Sequence, residues 1–214
     1  MTERGIRILL VDDHAVVRAG YRLLLQNAPA ITIVAEAEDG ESAYRAFVES
    51  RPDVVVMDLT LPGPSGLDVI RRVIARDPRA RILVFSMHEE PIFAEQALAA
   101  GARGYLTKAS APDALVDAIR DIARGGIFVE TAIAQQLAVQ KCRGEATPFR
   151  DLTTREFEIC RLLVEGASVA EIAQKVALSA KTVANYSTQI REKVGAGSTA
   201  ELTRLAIRYG IISA

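Results

Sequence analysis

A parallel α/β sheet followed by a small all-helical domain is the fold class that three observations predict. From residue 6 to about 125, short β-branched runs alternate with longer segments whose apolar residues recur at helical spacing. Four of the five runs are nearly all apolar, as strands covered on both faces must be. After Gly125-Gly126 the strand signals stop, and from Asp151 onward only helical periodicities remain.

The strand runs fall at 6–11, 31–37, 53–57, 81–85 and 104–106, and helices are expected between them at 14–27, 39–50, 65–76, 90–100 and 111–124. The first helix carries Val16, Val17, Leu23 and Leu24 as its apolar stripe, and Asp39-Gly40 forms the cap region of the second. Right-handed crossovers then give a (βα)5 doubly wound parallel sheet over residues 1–126. Residues 127–150 read as a linker with one short helix at 130–141, followed by a polar stretch holding Gly144 and Pro148.

The last part, 151–214, reads as four helices at 153–165, 168–175, 179–193 and 198–209, with breakers at Gly166, between Leu178 and Ser179, and at Gly195 and Gly197. Thr153 with Glu156, and Ser168 with Glu171, have the spacing of capping boxes. The second and third of these helices form a helix-turn-helix. On the third, Val183, Ile190 and Val194 share a buried stripe, which turns Lys181, Ala184, Asn185, Thr188, Arg191 and Glu192 to solvent.

Half of the 214 residues are apolar and a quarter charged, a balance suited to one or two packed domains. No apolar stretch approaches the about 18 residues that cross a bilayer, and Met1-Thr2-Glu3-Arg4-Gly5 lacks the apolar core of an export signal. A cytoplasmic location without membrane contact is expected. Cys142 and Cys160 have no Cys or His at metal-ligand spacing, so neither a disulfide framework nor a zinc site is supported. Residues 1–129 hold 15 basic against 18 acidic side chains and residues 148–214 hold 9 against 7, so a polyanion partner is permitted only where basic groups cluster.

In a parallel sheet, functional groups gather beyond the carboxyl ends of the strands. Asp12-Asp13 ends the first run, Asp58 follows the third, Ser86 the fourth, and Lys108 lies just past the fifth. Three carboxylates close together repel one another unless a cation intervenes. A hard divalent ion such as Mg²⁺ resolves that conflict and leaves one Asp as an oxygen nucleophile toward phosphorus. Lysine and hydroxyl groups then meet the phosphoryl oxygens. Taken singly, each residue also has a plainer reading: a turn cap for the Asp pair or Ser86, a solvated charge for Lys108, a core ring for Tyr105.

The same residues resemble the receiver domain of two-component response regulators. The matching motifs are Leu10-Val11-Asp12-Asp13-His14, then Val56-Met57-Asp58-Leu59-Thr60-Leu61-Pro62-Gly63-Pro64-Ser65-Gly66, then Val84-Phe85-Ser86, then Gly101-Ala102-Arg103-Gly104-Tyr105-Leu106-Thr107-Lys108. The resemblance implies that Asp58 is the phosphoacceptor and that Asp12, Asp13, Asp58 and the main-chain carbonyl of Thr60 hold Mg²⁺. It also implies that Lys108 pairs with the phosphoryl group, Ser86 hydrogen-bonds it, and Tyr105 is an aromatic switch. His14 is expected to open the first helix, and His88 to lie in a mobile loop.

The second half resembles the LuxR-type, or NarL/FixJ-type, DNA-binding domain through Leu152-Thr153-Thr154-Arg155-Glu156, Glu171-Ile172-Ala173, Leu178-Ser179-Ala180-Lys181-Thr182-Val183 and Glu201-Leu202. That likeness implies a recognition helix in a major groove, with Ala184, Asn185 and Thr188 facing bases and Lys181, Thr182, Tyr186 and Lys193 near the backbone. Tyr186 stands where the family commonly has His. Gly197-Ser198-Thr199 replaces a turn that usually carries Arg. The resemblance further implies dimerisation on double-stranded DNA through the last helix, 199–209.

The expected function is that of a response regulator, phosphorylated on Asp58 by a sensor histidine kinase and controlling transcription, with no enzymatic role beyond its own phosphotransfer and dephosphorylation. An aspartate-nucleophile phosphohydrolase is the rival, disfavoured because Thr60 stands where such enzymes resemble one another in carrying a second Asp. A phospho-switch whose helical domain is a protein adaptor is the third reading.

Overall fold

The computed structural model describes residues 5–28, 30–143 and 147–212, so Gly144 and the first four residues lie outside the described part. It divides into two compact units, Met1–Glu89 with Ala97–Thr131 and Glu90–Gln96 with Ala132–Ala214. The sheet is built from β1 (Ile6–Val11), β2 (Ile31–Ala37), β3 (Val54–Met57), β4 (Ile82–Ser86), β5 (Gly104–Thr107) and β6 (Phe128–Val129) in the order β2-β1-β3-β4-β5-β6, all parallel. The helices are α1 (Ala15–Gln26), α2 (Gly40–Ser50), α3 (Gly66–Arg76), α4 (Pro91–Ala99) and α5 (Pro112–Ala123).

β3, β4 and β5 are buried along their whole length, which is why their sequences carry no polar alternation. Ile8, Leu10, Val54, Val56, Leu83 and Phe85 share one core with Leu115, Ile119 and Ile122 of α5 and Leu25 of α1. Strand order reverses between β1 and β3, so the crevice at their carboxyl ends is where ligands gather in such sheets.

Two expectations need correction. The sheet has six strands, because Phe128–Val129 pairs with β5 in a stretch assigned above to the linker. Two residues are too few to show a period. On α1, Val16 and Leu23 are 86% and 64% exposed, and the residues packed toward the sheet are Tyr21, Leu24 and Leu25. The stripe is therefore set by the i, i+3, i+4 row through Tyr21 rather than by apolar character alone.

The second unit contains α6 (Thr131–Arg143), α7 (Thr154–Val164), α8 (Val169–Lys175), α9 (Ala180–Val194) and α10 (Thr199–Arg208). Both capping boxes form, Thr153 with Glu156 and Ser168 with Glu171, and Ser179 and Ser198 cap the two helices that follow. Gly195, at φ 74°, supplies the left-handed residue that ends α9. Cys160 is buried on α7, and burial pushes its thiol up to about 12, whereas Cys142 is exposed. No helix among the described residues is long and apolar enough to cross a membrane.

Gly66 shows how tightly the loop after β3 is built. Its N–H donates to Leu59 O at 3.0 Å, and a Cβ there would run into the Asp58 carbonyl oxygen and lie 2.7 Å from Leu59 Cα. Gly66→Ala is therefore expected to cost about 1–3 kcal/mol by overpacking, read as a lowered urea midpoint with an unchanged slope.

Candidate functional site

The rim at the carboxyl ends of β1 and β3 gathers the acidic groups. Val11 and Met57 are register partners, so the residues that follow them, Asp12 and Asp58, come off neighbouring strands. Both are nearly inaccessible, at 2% and 3% exposure. Such a pair cannot remain ionised without a cation close by. Lys108 supplies it: Nζ lies 2.6 Å from Asp12 Oδ2 and 2.5 Å from Asp58 Oδ2. Burial works against the charge on Lys108, but its bonds to the two carboxylates more than reverse this, and the ammonium stands above its ordinary pKa. Burial likewise pushes the Asp58 carboxyl above the usual range, against the lowering effect of Lys108 and of the Thr60 N–H that donates to Oδ1 at 3.3 Å.

Asp13 is less buried and completes a second group with its neighbours. Asp12, Asp13 and His14 offer ligand atoms that all lie within 4.8 Å of one another, an arrangement able to hold a metal ion. The hard carboxylate oxygens of the two aspartates suit Mg²⁺. His14 Nδ1 lies 2.6 Å from Asp13 Oδ1, and His14 also occupies the N-cap position of α1, as expected from the sequence.

Ser86 and Tyr105 meet on one residue. The His88 N–H donates to Ser86 Oγ at 3.4 Å, and the Tyr105 hydroxyl donates to the His88 carbonyl at 2.8 Å, with the Tyr105 ring fully buried. The His88 ring stands 3.4 Å from the Thr60 hydroxyl. His88 was expected only as part of a mobile loop. Its backbone is what Ser86 and Tyr105 hold in common, and a main-chain role leaves no side-chain signal in sequence.

On α9, Val183, Ile190 and Val194 are buried, and Lys181, Ala184, Asn185, Thr188, Gln189 and Glu192 are exposed. Gln189, four residues after Asn185, adds a second amide to that face and was missed, although its spacing marks it. Thr182 and Tyr186 are half-buried. Thr182 Oγ1 lies 2.8 Å from Ser179 Oγ, and Thr188 Oγ1 donates to Ala184 O at 3.3 Å. Lys193 is exposed, yet its ammonium donates to Glu156 Oε2 at 2.8 Å, tying the end of α9 to the start of α7. Ala177, in the turn before α9, adopts φ 51°, a left-handed conformation that costs a residue with Cβ about 1–2 kcal/mol.

Residues 8–120 match the response regulator receiver domain, and residues 150–206 match the bacterial regulatory proteins of the luxR family. The chain belongs to the NarL/FixJ family of response regulators. It is 38% identical to Response regulator UvrY of Escherichia coli K12 over 98% of this chain and 97% of that one. It is 41% identical to Transcriptional activator protein ExaE of Pseudomonas putida, covering 96% and 97% of the two chains. A crystal structure of a LuxR-family two-component response regulator from Aurantimonas matches at 48% identity and a TM-score of 0.63, over 64% of this chain and 99% of that one. The family is one of regulators rather than of enzymes, and its receiver domain implies a kinase partner.

The raised Asp58 pKa fixes the sign of a stability effect. A carboxyl whose folded pKa lies above its unfolded value contributes stability below the unfolded value, near 3.9, and loses it as pH rises through the folded value. In the regulator free of divalent cation, Asp58→Asn is expected to raise the urea midpoint at pH 7. The difference should shrink as pH falls through the carboxylate range, which urea titrations at stepped pH will show.

Proposed function

We propose that the regulator accepts a phosphoryl group on Asp58 from a sensor histidine kinase and thereby controls its binding to double-stranded DNA and transcription. The observation that carries this reading is the Lys108 ammonium held between Asp12 and Asp58, which sets the buried Asp58 carboxylate directly beside a positive charge. In the transfer, an Asp58 carboxylate oxygen forms the new O–P bond as the P–N bond to the donor imidazole breaks, and the nitrogen keeps the electron pair. Lys108 and the Ser86 hydroxyl meet the phosphoryl oxygens as charge develops on them.

Asp12 and Asp13, with Asp58 and the Thr60 carbonyl, would hold Mg²⁺. When bound there, the ion would supply charge neutralisation for the transfer. Hydrolysis of the acyl phosphate by the chain itself limits the lifetime of the signal. Tyr105 acts as the switch through the His88 peptide that it shares with Ser86. In this reading the receiver runs from residue 1 through β6, the rest of the stretch up to 150 is the linker, and residues 151–214 are the DNA-binding domain of a cytoplasmic protein.

On the DNA side, α9 enters the major groove. Asn185 is the best reader of a base edge, because its amide both donates and accepts and makes no competing bond among the described residues, whereas the Thr188 hydroxyl is already turned to its own helix. Lys181 in the first turn, with Thr182 and Tyr186, lies where the sugar-phosphate wall passes. Ala184 offers a methyl contact. Lys193 reaches phosphate only by giving up Glu156. Dimerisation on DNA runs through the last helix, 199–209, where Ile207 is 39% exposed.

Asp58→Asn is expected to abolish base-labile labelling by acetyl phosphate in Mg²⁺, since an amide is no nucleophile. Lys108→Ala should keep some label but lose its effect on DNA affinity, measured by gel shift with and without phosphodonor. Undiminished label on the Asn variant would overturn the reading.

Asn185→Ala is expected to cost about 1–3 kcal/mol on the best operator and flatten preference at one base of each half-site. Lys181→Ala should weaken all sequences alike and lower the slope of log K against log salt by about one per subunit. Binding across a randomised half-site and a salt series separates the two.

A further inference from the structure

The edge of the sheet beside β5 is closed by a side chain. β6 contributes only Phe128 and Val129, paired with Gly104 and Tyr105, and its last backbone bond runs from Glu130 N–H to Tyr105 O at 3.0 Å. The next donor along β5 is the N–H of Thr107, a residue that is 3% exposed and would be left unsatisfied. Glu130 Oε2 accepts it at 2.9 Å and accepts the Thr107 hydroxyl as well at 2.7 Å. The same hydroxyl lies 3.2 Å from Ser110 Oγ, and Ser110 N–H donates to Thr107 O at 3.2 Å. One carboxylate thus fixes the whole turn from Thr107 to Ser110. Burial pushes Glu130 up, but the bonds from Thr107 and Ser110 outweigh it and hold its carboxyl below the usual range.

That turn carries Lys108. Thr107 pairs across the sheet with Ser86, and Lys108 N–H donates to Ser86 O at 2.8 Å. Ser86, Thr107 and Glu130 therefore form one lateral line along the rim, with Lys108 suspended from it and reaching back to Asp12 and Asp58. Glu130 is also the last residue before α6. A displacement of Ser86 or Lys108 is met by a bond that ends where the connection to the helical unit begins.

We infer that Glu130 is a positioning residue: through Thr107 it holds the β5–α5 turn so that Lys108 stays aligned with the carboxylates, and it ties that alignment to the first residue before the linker helix. The effect on phosphorylation rests on the reading of Asp58 as the phosphoryl acceptor, whereas the hold on the turn does not. Full-length Glu130→Ala and Glu130→Gln test both.

Without any phosphodonor, amide hydrogen exchange across Thr107 to Ser110 should speed up by about tenfold in Glu130→Ala. With radiolabelled acetyl phosphate and Mg²⁺, the rate of labelling should fall about three- to tenfold, as expected of a misaligned ammonium. Glu130→Gln keeps an acceptor oxygen and should recover most of both losses. Unchanged exchange in the Ala variant would overturn the hold on the turn. A lowered urea midpoint with labelling unchanged would reduce Glu130 to a strut of the sheet edge and overturn its link to Lys108. Absence of label on wild-type Asp58 would overturn the phosphoacceptor reading and the link with it, while the exchange measurement still decides the hold on the turn.

Discussion

Everything on the sheet's functional rim follows from the need to keep two buried carboxylates together. Asp12 and Asp58 leave adjacent parallel strands, so the backbone places them side by side whatever the cost. The Lys108 ammonium meets both, and it comes from a third element, the turn after β5. Its position depends on Ser86 of β4 through the backbone, and on the packing that buries all three strands. Charge compensation thus links three strand ends into one object. A change of charge at Asp58 is felt at Lys108, and from there at every group bonded to its turn.

A smaller version of the same logic organises the helical unit. Glu156 caps its own helix through Thr153 and accepts from Lys193, so one carboxylate fixes both the start of α7 and the end of α9. Burial raises its pKa, but the bonds from Lys193 and Thr153 prevail and hold it low. The guanidinium of Arg155 donates to the Val176 carbonyl in the turn before α9. Helix α9 is therefore braced at both ends by polar groups of α7, while Val183, Ile190 and Val194 seat its middle.

How much of this was legible in the sequence depended on the range of the interaction. The helix starts were legible because caps are local: Thr153 with Glu156 and Ser168 with Glu171 lie three residues apart and formed as expected. The gathering of Asp12, Asp58 and Lys108 was legible from the parallel-sheet rule, which sends strand ends to one rim. What Lys108 does there was only half legible. The strand rule sends its turn to the rim, whereas its bonds to both Asp12 and Asp58 are set by tertiary geometry. The sixth strand, the grip of Ser86 and Tyr105 on the His88 backbone, and the engagement of Lys193 with Glu156 were not legible. Each is a pairing fixed by tertiary geometry, between residues whose types allow many other partners. The exposure of Val16 and Leu23 had the same origin, since apolar character does not reveal the phase of a helix.

The two-residue β6 also bears on where this protein can be divided. A parallel strand with a bare edge presents unpaired amides and carbonyls to any other chain, and such edges seed aggregation. β6 and the Glu130 carboxylate cover that side of β5. A proteolytic nick at Gly125-Gly126 would strip the cover and leave a sticky margin on the sheet, whereas a nick after Thr131 would leave it capped. The few residues that read as the start of a tether therefore work as a selvage, keeping the finished sheet from fraying into its neighbours.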